Sequence, residues 1–328
     1  MAVLITGAGN IGCEVAQALV AQGERVVLFD IDPSEERIQT FVELDQVAIV
    51  QGDIIDIDQI DRAIGRHDVD RIVHTAAIHI PASQANPPKG IAINLIGATN
   101  VLELARRRNL QRVVLSGSSS VVFGILDDYQ AGSIPDDFAM RVVSQVPPKL
   151  YAASKLAAEF FARIYVNAFG VDAVVLRYSS VIRDWSAPDP GLVGAMLRAF
   201  VDPPARGERA IIENPDWVWA GLEEFVDARD CAQVTIAALL AEHLPQRVYN
   251  IGGAGAYLLS EFADTVRHTF QNGDVEVRAN SKVGLGGAPV RNVRLDMSAA
   301  ARDFDYRPKY DLSASLLHFS GVARNARK

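Results

Sequence analysis

The chain has 328 residues, 49% of them hydrophobic and 22% charged, enough for one large α/β domain or a large and a small one. Its net charge of −8 argues against a nucleic-acid partner, because binding phosphates requires a basic surface. No stretch is long and apolar enough for a membrane span, and the chain enters a core-like strand at Ala2 without room for a signal peptide. With Cys13 and Cys231 as its only cysteines and no metal-ligand spacing, the expectation is a cytoplasmic protein with neither disulfides nor a metal.

Met1 to Asp30 organises the rest. Ala2-Val3-Leu4-Ile5-Thr6 is a short apolar run, and Gly7-Ala8-Gly9-Asn10-Ile11-Gly12 follows at once. Cys13 to Gln22 reads as a helix, and Arg25 to Phe29 is a second apolar run ending in Asp30. Strand, glycine turn, helix, strand and acid in this order form a dinucleotide-binding fingerprint. Gly7 permits the tight turn, Gly9 lets backbone approach a pyrophosphate, and Gly12 lets the helix sit close to the strand. The helix N-terminus then faces the phosphates. Asp30 is placed to accept both ribose hydroxyls and to repel a 2′-phosphate, so the expected cofactor is NAD rather than NADP.

Further short apolar runs lie at Val47 to Val50, Arg71 to Thr75, Arg112 to Ser116 and Ala173 to Arg177. Helical patterns separate them, among them Asn94 to Arg108 and Tyr151 to Phe169. This alternation predicts a doubly wound parallel sheet covered on both faces, with ligands at the carboxyl ends of its strands. After the third run, Asp53 and Ile54 are candidates for the adenine end, although Asp53 equally suits a turn that caps a helix. After the fourth, Ala76 belongs to a small-residue stretch against which a cofactor can lie, and His74 reads as a packed core histidine. Ser116 to Ser120 follow the fifth and aim hydroxyls at the expected cleft.

Tyr151 and Lys155 stand at i and i+4, on one helix face. A phenol with a pKa near 10 is a poor base at neutral pH. A neighbouring ammonium and an oxidised nicotinamide would favour the phenolate, making Tyr151 a proton carrier for alcohol–carbonyl interconversion.

Together these residues resemble the extended short-chain dehydrogenase/reductase family, the NAD-dependent epimerase/dehydratases, over nearly the whole chain. The matching pieces include Thr6 to Gly12, Asp30, Asp53-Ile54, His74 to Ala77, Asn94 to Glu103, Ser118 to Gly124, Tyr151 to Lys155, Leu176-Arg177-Tyr178, Glu224 to Asp230, Tyr249 to Gly253 and Asp296 to Ser298. The resemblance implies that Ser119 is the catalytic hydroxyl and Tyr151 the general acid/base. It implies that Lys155 holds the nicotinamide ribose and lowers the tyrosine pKa, and that Asn94 lies near the cofactor in a structural or water-binding role.

The departures from the family pattern are informative. The glycine loop is one residue shorter than is usual among extended members. Ser120 and Val121 stand where dehydratases carry Asp-Glu, which argues against dehydration. Ser179-Ser180-Val181-Ile182-Arg183 replaces the Phe-Asn-Val-Tyr-Gly of nucleotide-sugar epimerases, which weakens a nucleotide-sugar substrate, while Arg183 is placed to hold an anion instead. Ser119 to Tyr151 spans 32 residues, longer than is usual in the family, and the excess, around Asp127 to Val146, is expected to cover the substrate.

The expected organisation is a Rossmann domain over 1–182 and 226–254, with a smaller α+β substrate-binding lobe over 183–225 and 255–328. Arg183 to Glu224, with Pro188, Pro190, Trp185, Trp217 and Trp219, suits a loop-rich substrate cap whose tryptophans form the lobe's core. Gly284 to Gly287 reads as a loop able to close over the site. Arg291 and Arg294 bind an acidic substrate group or pair with surface carboxylates.

The leading reading is hydride transfer between NAD and a secondary alcohol of a sugar or sugar acid, with Ser120, Ser180, Arg183 and Arg291 as candidate substrate contacts. Its alternatives are a nucleotide-sugar epimerase with tightly bound NAD and a non-catalytic dinucleotide sensor. Apolar bulk at Leu156, Phe160, Phe161, Ile164, Tyr165, Val166 and Phe169, with Leu95, Ile96, Val101, Leu102 and Leu104, exceeds what one sheet face needs. The family's dimers pair these two helices across a two-fold axis, so a homodimer is expected.

Overall fold

The computed structural model describes residues 1–187 and 190–320. Pro188 of the expected cap and the last eight residues of the expected lobe therefore lie outside the described residues. The strands, in chain order, are β1 (Ala2–Thr6), β2 (Arg25–Asp30), β3 (Val47–Gln51), β4 (Arg71–His74), β5 (Arg112–Ser118), β6 (Ser133–Ile134), β7 (Ala173–Tyr178), β8 (Ser180–Ile182), β9 (Arg209–Ile212), β10 (Glu223–Asp227), β11 (Val248–Ile251), β12 (Gly255–Tyr257), β13 (Asp274–Val277) and β14 (Arg294–Leu295).

The main sheet runs β11-β7-β5-β4-β1-β2-β3, and every neighbouring pair is parallel. The chain starts in the middle and winds outward both ways, so the doubly wound expectation holds. Strand side chains alternate between two buried faces. Val3 and Ile5 pack with Val15, Leu19, Val234 and Leu239 of helices Asn10–Val20 and Ala228–Leu240. Leu4 points the other way, among Ile60, Ile64, Val101, Leu102, Ala158 and Ala162 of helices Ile57–His67, Gly97–Arg108 and Leu150–Phe169. A fully buried aliphatic side chain of this kind stabilises the fold by about 1.5–3 kcal/mol. Helix Leu150–Phe169 stops at Gly170, whose φ of +70° closes its last turn left-handed.

A second core holds Trp185, Phe200, Trp219, Phe225 and Phe262, so two of the three lobe tryptophans are core residues as expected. β12, β10 and β8 form a separate three-stranded sheet, which runs across the expected boundaries at 182 and 226. The long segment after Ser119 does not simply cap the substrate. Its β6 pairs with β14, stitching the two halves of the chain together.

Candidate active site

Two adjoining cavities open at the carboxyl ends of the central strands. The outer groove, about 250 Å³, is lined by Gly7, Gly9, Asn10, Ile11 and Gly12 of the first turn, Asp30 after β2, Asp53 and Ile54 after β3, and Ala76 after β4. The inner cavity, about 170 Å³, is lined by Ser118, Ser119, Ser120, Tyr151, Lys155, Ser180, Arg183, Glu223 and Arg291. Ile11, Thr75, Ala77, His79 and Arg183 line both, so the two make one cleft.

The groove fits a dinucleotide. Gly7 has a φ of +95°, which only glycine adopts readily, and a β-carbon there would press on the Ala76 amide at 2.7 Å. A β-carbon on Gly12 would drive into the Gly7 carbonyl oxygen, whereas the space beside Gly9 is open. No side chain caps helix Asn10–Val20, which leaves its first amides available for an anion. The Asp30 carboxylate is fixed by the amides of Ala8 (2.7 Å) and Asp32 (3.0 Å), which tie it to the glycine turn. Asp53 accepts from the Ile55 amide at 3.0 Å, and the helix that follows is capped by Asp56 instead.

One expected contact moves. Asn94 is 1% exposed and lines neither cavity. Its amide pairs with the Ile78 backbone in both directions, at 2.8 and 3.0 Å, and donates to Ser154 Oγ at 3.3 Å. It sits in a π-helical turn, Ala92–Ile96, that widens the helix enough to reach that loop. Asn94 therefore holds the small-residue loop in place and does not touch the cofactor groove. His74 is core, as expected: Thr6 Oγ1 lies 2.7 Å from its Nδ1, and burial pushes its pKa down to about 3.

Burial pushes the Tyr151 phenol up, while Ser118 and the charge of Arg183 pull it down. Lys155 Nζ lies 5.9 Å from the centre of the Tyr151 ring. Lys155 Nζ donates to the Ser116 carbonyl at 2.8 Å, and burial pushes its pKa down to about 8. Ser118 and Ser120 share a hydroxyl hydrogen bond of 2.9 Å, while Ser119 Oγ accepts from Arg291 Nη2 at 3.3 Å. Ser119, the serine the family pattern selects, lines the same cavity as Tyr151.

Ser180 Oγ donates to Glu223 at 2.5 Å. Burial pushes Glu223 up, against the pull of Arg291. Glu223 and Arg37, which lines the adenosine end of the groove, were not singled out from sequence. A pair of acids, Glu223 and Glu224, opening a buried strand was the available signal for Glu223. Arg294 lines neither cavity and donates to the Gly253 carbonyl at 2.9 Å. Leu285 and Ala288, within and after the Gly284 to Gly287 loop, wall the inner cavity.

Comparison with known proteins agrees with this geometry. The model of the NAD dependent epimerase/dehydratase family matches residues 3–252. UDP-glucuronate 4-epimerase 6 of Arabidopsis thaliana is 28% identical over 337 residues, covering 97% of this chain and 70% of that protein. Among solved structures, UDP-glucose 4-epimerase of Thermotoga maritima, with UDP-glucose, superposes with a TM-score of 0.79 at 20% identity, covering all of both chains. L-threonine dehydrogenase of Phytophthora infestans does so with a TM-score of 0.80 at 24% identity, covering 99% of this chain and all of the other. The chain belongs to the NAD dependent epimerase/dehydratase family, is an NAD-dependent oxidoreductase of that family, and takes NAD as its cofactor.

Proposed function

We propose that this protein moves a hydride between NAD and a secondary alcohol of a sugar-like substrate, with Tyr151 as general acid/base. The observation that carries the reading is the convergence of Tyr151, Lys155 and three serine hydroxyls at the inner end of a dinucleotide groove. NAD, held by Gly7 to Gly12 and Asp30, supplies the hydride acceptor when bound. Tyr151 takes the hydroxyl proton of the substrate, Ser118 and Ser119 steady its oxygen, and Lys155, fixed by Ser116, holds positive charge beside them. A non-catalytic sensor has no need of this constellation.

A second reading, internal epimerisation of a nucleotide sugar, is favoured by the UDP-glucuronate 4-epimerase relatives. The two differ in whether the keto intermediate leaves or is reduced again on its other face. A panel of sugars, sugar acids and nucleotide sugars, followed by NADH absorbance and product analysis, tests both. Net NADH formation supports dehydrogenation. Isomerised product without NADH supports epimerisation, and neither with any substrate would overturn the proposal.

Cofactor choice gives a sharper test. Replacing Asp30 with Ser removes the carboxylate that repels a 2′-phosphate and leaves Arg37 to attract one. The NADP/NAD affinity ratio should rise by about tenfold or more, a difference of about 1.4 kcal/mol. Fluorescence titration with both cofactors measures it. A wild type that binds NADP more tightly than NAD would refute the assignment of Asp30.

We also propose a homodimer working in a reducing compartment, where Cys13 and Cys231, both buried and unpaired, remain thiols. On helix Leu150–Phe169, Phe160, Phe161, Ile164 and Phe169 are 40–55% exposed, and Ile96 beside it is 46% exposed. Val101, Leu102 and Leu104 are core instead, and Leu156 packs under the segment after Ser119. An exposed apolar face of this size suits a second copy of the chain. Light scattering at micromolar concentration should give about twice 35.5 kDa, and a monodisperse monomer would refute the dimer.

A further inference from the structure

The inner cavity carries a feature that hydride transfer does not require. Arg291 is 4% exposed, yet its guanidinium lines the cavity wall. It comes from the far end of the chain and places Nη2 3.3 Å from Ser119 Oγ, at the strand end where the substrate oxygen is expected. Its Nη1 also donates to Glu224, at 3.5 Å and behind the wall. A guanidinium has five N–H donors, so these two contacts leave capacity facing the cavity.

A second, independent observation comes from Ser179. Its side chain is 5% exposed and lines the same cavity, and its Oγ has no hydrogen-bond partner among the described residues. A buried hydroxyl without a partner loses about 1–3 kcal/mol relative to water, so such an atom marks the position of a ligand group. Ser180 is already committed to Glu223 at 2.5 Å. The charge of the wall completes the pattern. Lys155, Arg183 and Arg291 face the cavity against one carboxylate, Glu223. The cavity therefore has an excess of positive charge in a site withdrawn from water, where it strongly favours an anion.

We infer that Arg291 and Ser179 form a carboxylate subsite, and that the substrate is a polyhydroxylated carboxylic acid whose acid group lies beside the carbon that is oxidised. The inference rests on the proposed hydride transfer and narrows its substrate to a class. Glu223, held by Ser180, accepts a hydrogen bond from a neighbouring hydroxyl of the same molecule. The acid group occurs both in free sugar acids and in the uronic-acid end of a nucleotide sugar. Arg291 recognises the same carboxylate in either.

The test is a calorimetric titration of the full chain saturated with NADH, so that alcohols bind without reacting. The ligands are aldonates and uronates of four to six carbons, each paired with its neutral alditol or aldose, together with UDP-glucuronate paired with UDP-glucose. At least one acid should bind about 10- to 100-fold more tightly than its neutral partner, the usual range for a hydrogen bond to a charged group. Preference among the free acids identifies a free substrate. Preference confined to UDP-glucuronate identifies a nucleotide-linked one.

Arg291→Gln should abolish the preference and leave neutral ligands nearly unchanged, and Arg291→Lys should restore part of it. Because Arg291→Gln also leaves Glu224 with one partner fewer, Ser179→Ala provides a second variant that removes no internal hydrogen bond. It should weaken the preferred acid by several-fold and its neutral partner little. Equal binding of acids and neutral partners by the wild type would overturn the inference, as would variants that weaken both alike. The parent reading fails separately, if no panel member is oxidised by NAD or isomerised while the charge preference persists.

Discussion

Tyr151→Phe should lower turnover by about 10² to 10⁴-fold while leaving NAD affinity close to that of the wild type. That range is the usual worth of positioned proton transfer. The substitution keeps the ring, which lies 6.0 Å from the His79 ring centroid to centroid, and removes only the phenol oxygen. The wall of the cavity is therefore preserved and the proton carrier is lost. The pH profile gives a second readout. Burial raises the phenol pKa while Ser118 and Arg183 lower it, so oxidation should speed up as pH rises and the phenol ionises. Removing the positive charge in Arg183→Gln should move that limb to higher pH, because the phenolate loses the cation that favours it. A Tyr151→Phe enzyme with normal turnover would show that another group carries the proton.

What could be read from sequence was whatever lies close together in sequence. The turn from Gly7 to Gly12 and its helix are contiguous, so their geometry is dictated by local φ and packing demands. Tyr151 and Lys155 are one helical turn apart and share a face in any fold that keeps the helix. The six parallel strands from β1 to β7 in the main sheet were visible as isolated apolar runs, because buried parallel strands need no polar alternation. Side chains from distant segments were harder to read. Arg291 meets Ser119 across 172 residues, and nothing near either announces the other. Glu223 follows a lobe of its own before it reaches the cavity. Asn94 was placed near the cofactor, in a structural or water-binding role, by the resemblance. The π-helical turn rotates its amide toward the Ile78 loop instead.

The largest effect on stability should come from a buried pair that joins helix Leu150–Phe169 to β7. Arg177 is 4% exposed and Glu159 5%, and they form a forked ion pair, with Arg177 Nε donating to Glu159 Oε2 at 2.9 Å and Nη2 donating to Oε1. Arg177 Nη1 also donates to the Asp136 carbonyl at 2.7 Å, and the guanidinium lies 4.8 Å over the Phe138 ring. Glu159→Ala leaves a guanidinium buried among neutral acceptors, and breaking such a pair costs about 3–5 kcal/mol. Domains are stable by only about 5–15 kcal/mol, so the urea midpoint should fall sharply with little change in slope. Replacing both partners, as Glu159→Leu with Arg177→Met, should recover much of the loss, because it removes the charge as well as its partner. Arg177 immediately precedes Tyr178, Ser179 and Ser180, which line the cavity, so the single variant should also raise KM more than it lowers kcat. A Glu159→Ala midpoint within about 1 kcal/mol of wild type would mean that water reaches Arg177, and that β7 is held in place by its β5 and β11 hydrogen bonds without the ion pair.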